Sequence, residues 1–211
     1  MNIEQYKSIK GFSEFILKEK SSEFIAHSYP VETEEEFLNL LNETRKKFYD
    51  ATHHCYGIKL INGYLKFSDD GEPGGTAGAR ILNAIDHYEL NNIAVIVIRY
   101  FGGTKLGVGP LGKAYYNSAA MCLGSAKKII KKLYHKFFIH SDFEMISHVY
   151  RYLENHHAKI LKTDYSSEVK LECLILPGHV HKIEEQLLAI SKGKIIFKNS
   201  GESVFIPSEE F

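Results

Sequence analysis

The stretch "NIAVIVIRYFGGTKLGVGPLGKAY" (92–115) carries three kinds of sequence in succession. Residues 93–98 are an unbroken, mostly β-branched run, which predicts a strand at the centre of a sheet with both faces buried. Gly102, Gly103, Gly107, Gly109 and Gly112 then predict a tight loop. From Pro110 to about Gly124 the small and apolar residues predict a helix, with Pro110 in the first turn, where its missing N–H costs little. A strand, a glycine loop and a helix start can together receive an anion.

Two phosphate motifs overlap on this loop. Gly107, Gly109 and Gly112 match G-x-G-x-x-G, and Gly107 with Gly112-Lys113 matches all but the last position of G-x-x-x-x-G-K-[ST]. Both fail at the residue that supplies their chemistry. Ala114 stands where a hydroxyl would ligate magnesium, and no acidic residue follows before Asp142 to hold a ribose. No nucleotide cofactor is expected. Close backbone approach at the glycines, N–H groups at the helix start, and the cations Lys105 and Lys113 still suit an anion or a phosphate backbone. The competing reading is that the glycines serve only backbone angles and close helix packing.

Upstream, "SEFIAHSYPV" (22–31) predicts a half-buried strand, followed by a helix with Thr33 and Glu36 as capping box and Phe37, Leu40, Leu41 and Phe48 at helical spacing. "CYGIKLINGYLKFS" (55–68) predicts a hairpin turning at Asn62-Gly63 in a type I′ geometry. "SDDGEPGGTAG" (68–78) predicts a loop, and Ile81, Leu82, Ile85 and Tyr88 a helix. Downstream, the pattern restarts with an alternating strand over 131–140, then a helix opened by Ser141 and Glu144 with Phe143, Ile146, Val149, Tyr150 and Leu153 on its stripe. Two strands meeting at Ser166-Ser167, a helix in "GHVHKIEEQLLAI" (178–190) and a strand in "KIIFKN" (194–199) follow. The order β-α-β-β-α-β is that of a ferredoxin-like domain. The expected organisation is α+β in two domains, 1–130 and 131–211.

Charge and cysteine use narrow the function. The chain of 211 residues has 26 Lys and Arg against 26 Asp and Glu, so it is not globally basic. Its charges are segregated, however. Between Glu89 and Asp142 there is no acidic residue, while Arg99, Lys105, Lys113, Lys127, Lys128, Lys131, Lys132 and Lys136 all fall there. This basic island, with Tyr100, Phe101, Tyr115, Tyr116 and Tyr134 among it, suits phosphates and exposed bases. The bland alternative is a solvated face whose lysines discourage edge pairing. Three widely spaced cysteines suit reduced thiols, and no apolar run reaches the roughly 18 residues of a membrane span. A cytosolic location without membrane partners is therefore expected.

A second cluster admits a different chemistry. His53, His54 and Cys55 adjoin, and Asp69, Asp70 and Glu72 lie across the hairpin, so the two sets suit zinc or acid–base work. On a strand, His53 and Cys55 share one face and His54 takes the other. The plainer reading has the carboxylates accepting backbone N–H groups in a loop. His156-His157 and His179-x-His181 read as helix-end or surface histidines, and no metal is expected.

"ATHHCYGIKL" (51–60), "SDDGEPGGTAG" (68–78), "ILNAI" (81–85) and "RYFGGTKLGVGPLGKAY" (99–115), in this order, resemble the YigZ/IMPACT family. The resemblance covers most of residues 20–125, and the rest is similar to the small C-terminal domain of bacterial members. It implies an N-terminal domain like domain IV of elongation factor G and several ribosomal proteins, and a C-terminal one like domain V. Eukaryotic relatives compete for the ribosome-associated activator of a starvation-responsive kinase. For this chain the resemblance implies a non-catalytic tie to translation, RNA or the ribosome, or to a translation-associated protein. His53, Cys55, Asp69, Asp70, Glu72 and Thr76 belong to the motif, and Arg99, Gly102, Gly103, Lys105, Gly107, Gly109, Lys113, Lys127 and Lys128 are the candidate phosphate contacts. Departures are Ala79-Arg80, where members typically have a basic residue and then proline, together with Gly57, Val108 and Pro110. A small hydrolase built on His53, Cys55, Asp69, Asp70 and Glu72 is the rival reading, and a protein-interaction module without nucleic acid a third. Oligomeric state is left open.

Overall fold

The structure of the chain is a computed structural model that describes residues 3–210, with side chains through 208. Residues 6–130 form one compact unit, and residues 131–208 with 3–5 form another. The fold is α+β, as expected.

In chain order the first part runs β1 (Gln5–Ile9), β2 (Ser13–Glu19), β3 (Ser22–Pro30), α1 (Glu34–Lys47), β4 (His53–Lys59), β5 (Leu65–Ser68), α2 (Gly78–His87), β6 (Ile93–Tyr100) and α3 (Val108–Ser125). Five strands form an antiparallel sheet in the order β2-β3-β6-β4-β5. The apolar run is its middle strand. Val95 and Val97 of β6 pack with α2 and α3 residues such as Ile81, Ile85, Leu111 and Tyr115, while Ala94, Ile96 and Ile98 pack with Phe37 and Leu41 of α1. Two apolar layers on one strand explain the loss of alternation, since each fully buried Val or Ile contributes about 1.5–3 kcal/mol. β3 departs from the half-buried expectation for the same reason. Phe24 and Ala26 enter the layer shared with α2 and α3 and Ile25 the layer shared with α1, so both faces of β3 are covered.

Local signals mostly act as read. The Thr33 hydroxyl accepts from Glu36 N–H at 3.1 Å, and the Glu36 carboxylate accepts from Glu32 N–H at 2.7 Å, a capping box displaced by one residue. The Asn-Gly hairpin forms with a different turn. Gly63 N–H donates to Leu60 O at 3.2 Å and Leu60 N–H to Tyr64 O at 2.8 Å, enclosing a three-residue loop. Only Gly63 takes positive φ there, at +90°, so this is the glycine-bulged hairpin rather than type I′, and Asn62 Oδ1 instead accepts from Tyr64 N–H at 2.9 Å.

The second part runs β7 (Lys128–Ser141), α4 (Ile146–Asn155), β8 (Lys159–Tyr165), β9 (Val169–Ile175), a 3-10 turn (Pro177–His179), α5 (Val180–Ser191) and β10 (Ile196–Glu210). β10 pairs with β7, which pairs with β9, which pairs with β8. That is the strand order of the ferredoxin-like βαββαβ unit, with Phe137, Val149, Leu153, Leu171, Ile183 and Leu187 in its core. The start of α4 corrects the sequence reading. β7 continues through Ser141, Asp142 Oδ1 accepts from Met145 N–H at 2.9 Å, and the helix begins only at Ile146, leaving Phe143 exposed. An Asp that closes its own turn outcompetes the serine one residue earlier. The last strand extends well past Asn199, to Glu210.

Candidate functional site

The loop from Ser68 to Gly78 is held by its own carboxylates. Asp69 accepts N–H groups from Gly75 at 2.8 Å, Ala77 at 2.9 Å and Gly78 at 2.8 Å, so it caps the start of α2. Burial alone would raise its pKa, but these three bonds outweigh it and hold the carboxyl below its ordinary value. Asp70, at φ +42°, accepts from His54 N–H at 2.7 Å and from Arg45 Nη2 at 2.9 Å. Gly78 permits the loop to close, because a Cβ there would lie 2.8 Å from the Ser68 backbone. Thr76 is buried and donates its hydroxyl to Pro73 O at 2.6 Å.

Glu72 turns inward. Its Oε1 accepts from Arg99 Nη1 at 2.5 Å and from Tyr115 Oη at 2.7 Å, and Arg99 Nη2 donates to the Ser22 hydroxyl at 3.2 Å. Arg99 is thus an internal strut between β6, β3 and the acidic loop, not an exposed phosphate ligand. Cys55 is buried, with its thiol donating to Asp69 O at 3.0 Å or Tyr115 Oη at 3.3 Å. Burial pushes that thiol well above its ordinary pKa, so it stays protonated and is no nucleophile. Burial raises the Tyr115 phenol likewise, reinforced by Cys55 and Glu72. Among the described residues no group of three or more His, Cys, Asp or Glu side chains is arranged to hold a metal ion.

The glycine loop bends around this strut. Gly102 lets the chain cross Ser21, since a Cβ would fall 1.8 Å from Ser21 O. Gly103 and Gly107 take positive φ, at +81° and +85°, and Gly107 O accepts the Leu111 N–H that opens α3. Gly109 faces open space. Gly112 brings α3 against α2, where a Cβ would stand 3.4 Å from Arg80 Nε and 3.6 Å from Thr76 O.

Two adjoining cavities result, sharing Val108. The first, about 500 Å³, lies between the N-terminal turns of α2 and α3, where Gly74, Gly75, Thr76 and Gly109 meet Arg80 and Lys113. It has no acidic residue in its lining, and among the described residues neither Arg80 nor Lys113 has a side-chain partner. The start of α3 has no side-chain cap, so its N–H groups add positive potential there, whereas the start of α2 is already capped by Asp69. The second, about 470 Å³, is walled by Leu106, Val108 and Leu111, floored by Glu72 and Arg99, and edged by His53, Phe101 and Lys105.

The structure therefore collects the glycine loop, Lys105, Lys113, His53, Glu72, Thr76 and Arg99 around one region, and separates two expected members from it. Lys127 and Lys128 lie past the far end of the 18-residue α3, about 27 Å along its axis. Lys128 Nζ donates to Leu123 O at 2.9 Å, Ala126 O at 3.3 Å and Gly124 O at 3.4 Å, so it neutralises the helix C-terminus. Of the aromatics, Tyr115 and Tyr134 are buried and cannot stack on a base, whereas Phe101 is 45% exposed. Arg80 escaped the sequence reading. Its place beside the Ile81, Leu82 and Ile85 stripe set it on the open face of α2, but only the packing of α3 gave that face a partner surface.

The profile of the Impact N-terminal domain matches residues 20–123. The chain is 29% identical over 97% of its length to the IMPACT family member YvyE of Bacillus subtilis, covering 94% of that protein. It is 29% identical over 86% of its length to the IMPACT family member YigZ of Escherichia coli, covering 90% of it. A crystal structure of a hypothetical protein superimposes with a TM-score of 0.67 at 26% identity, over 92% of this chain and 97% of that one. The span matched by the family model includes both motif loops, and the chain belongs to the IMPACT family.

Proposed function

We propose that this protein is a non-catalytic RNA-binding factor acting at the translation machinery, and that it holds the phosphate backbone at the converging starts of α2 and α3. One observation carries the reading: Arg80 and Lys113 flank a cavity whose lining holds four glycines and, beside them, Thr76, Asn83, Val108 and Tyr116, without a carboxylate. A phosphate there would meet helix N–H groups and two cations at once. The rival hydrolase loses its parts to structural duty, because Asp69, Asp70 and Cys55 are each engaged by the fold. The link to translation rests on the family resemblance.

Fluorescence anisotropy of labelled single-stranded and structured RNA across a salt series tests this. The wild type binds with a steep salt dependence. Arg80→Glu/Lys113→Glu weakens binding at every sequence and, on single strands, flattens the slope by about 0.7 for each phosphate no longer neutralised. Lys127→Ala/Lys128→Ala leaves the slope unchanged and lowers the melting temperature, because Lys128 caps α3. Absence of binding at low salt refutes the proposal and directs the search to a protein partner.

A further inference from the structure

We infer that the cavity floored by Glu72 and Arg99 is a base pocket, taking a nucleobase that carries an exocyclic amino group. The inference deepens the RNA reading for one arm of its test and stands apart from it in another.

The floor of this cavity is incomplete in a specific way. The Glu72 side chain is 4% exposed, and while Oε1 is engaged twice, Oε2 receives no hydrogen bond among the described residues. Its neighbour across the cavity is His53 Nε2, at 3.8 Å. His53 Nδ1 stands 2.8 Å from Asp70 O, and a carbonyl can only accept, so Nδ1 carries the proton. With Nδ1–H donated to Asp70 O, Nε2 of the neutral tautomer is an acceptor facing a second acceptor, whereas a protonated ring would pair with Glu72 across the same 3.8 Å as an ion pair. A group with two N–H bonds placed between them satisfies both, and an exocyclic amino group has two.

The walls fit a flat ring. Leu106 and Leu111 are apolar, and Phe101 is 45% exposed, with the Arg99 guanidinium over its ring at 5.5 Å from the centroid. A volume of about 470 Å³ falls within the roughly 300–1,000 Å³ of small-molecule sites. Val108 is common to this cavity and the cationic one, so a base here and a phosphate there belong to one strand or one nucleotide. Uracil has no amino group. It would set a carbonyl against Glu72 and His53, leaving buried acceptors unpaired.

The test measures binding of labelled oligo(A), oligo(C) and oligo(U) of equal length, with AMP and UMP as thermal-shift probes. Wild type binds oligo(A) and oligo(C) at least about fivefold more tightly than oligo(U), the penalty of one unsatisfied buried group. His53→Leu narrows this preference by weakening oligo(A) and oligo(C) toward the level of oligo(U). Phe101→Ala, at an exposed side chain, weakens oligo(A) binding by about fivefold or more because the base has no ring to stack on, with an unchanged melting temperature. Equal, salt-dependent binding of all three oligomers overturns the base pocket and leaves the RNA reading intact. Stabilisation by AMP but not UMP, absent in Phe101→Ala, with no oligomer bound, supports the pocket as a free-nucleotide site and refutes the RNA reading. Binding of neither oligomer nor nucleotide overturns both.

Discussion

Glu72 Oε1 and Arg99 Nη1 lie 2.5 Å apart with side chains only 4% and 6% exposed, the innermost ion pair of the two motif loops. Their attraction is offset by the cost of taking two charges out of water, so the pair ties the loops in place more than it adds net stability. Arg99→Met leaves the Glu72 carboxylate with Tyr115 as its one hydrogen-bond donor among the described residues. We expect a loss of about 3–5 kcal/mol in urea unfolding. The double variant Glu72→Leu/Arg99→Met recovers much of it, because no charge is stranded; a double variant as unstable as Arg99→Met would contradict this account.

The paired glycines separate a steric demand from a conformational one. At Gly102 a Cβ would overlap Ser21 O at 1.8 Å and Ser21 C at 1.9 Å, both backbone atoms that cannot rotate aside. At Gly103 the space is open and only φ, +81°, opposes a side chain. Gly103→Ala therefore costs about 1–2 kcal/mol. Gly102→Ala costs more than the about 1–3 kcal/mol of ordinary overpacking. Thermal melts of the two variants, ranked in the opposite order, would show that Ser21 yields.

Stability is expected to fall as the solution is acidified, in two stages. Burial lowers the pKa of His27 despite its 2.8 Å bond to Glu14, and burial lowers that of His54 despite its bond to Phe48 O. Below the ordinary value of 6.5 the unfolded chain takes up these protons before the folded one, so stability is full above 6.5 and declines beneath it. The depressed Asp69 carboxyl adds a second decline beneath its ordinary 3.8, as its cap on α2 is protonated away. Urea midpoints against pH read both stages. His54→Asn shrinks the first and leaves the second.

Much of the fold was legible locally. The run from Ile93 to Ile98 announced a strand buried on both sides, because only burial on two faces removes alternation, and Thr33 with Glu36 marked a helix start through bonds that span a single turn. The hairpin at Asn62-Gly63 was legible as a turn, yet its type depended on how β4 and β5 register. Ser141 misled because a cap is decided by competition among neighbours, here with Asp142.

The candidate site divides along the same line. The sequence by itself determined the family motifs, the presence of a glycine loop and the absence of a complete nucleotide fingerprint, all properties carried by adjacent residues. Only the tertiary structure decided that Arg99 is spent on Glu72, that Lys128 serves a helix end while Lys113 has no side-chain partner among the described residues, and that Arg80 joins it at the cavity beside the start of α3. Periodicity reports whether a side chain is buried or exposed, whereas its partner is chosen by strands and helices that meet from distant parts of the chain, and a charge acquires its role only from that partner.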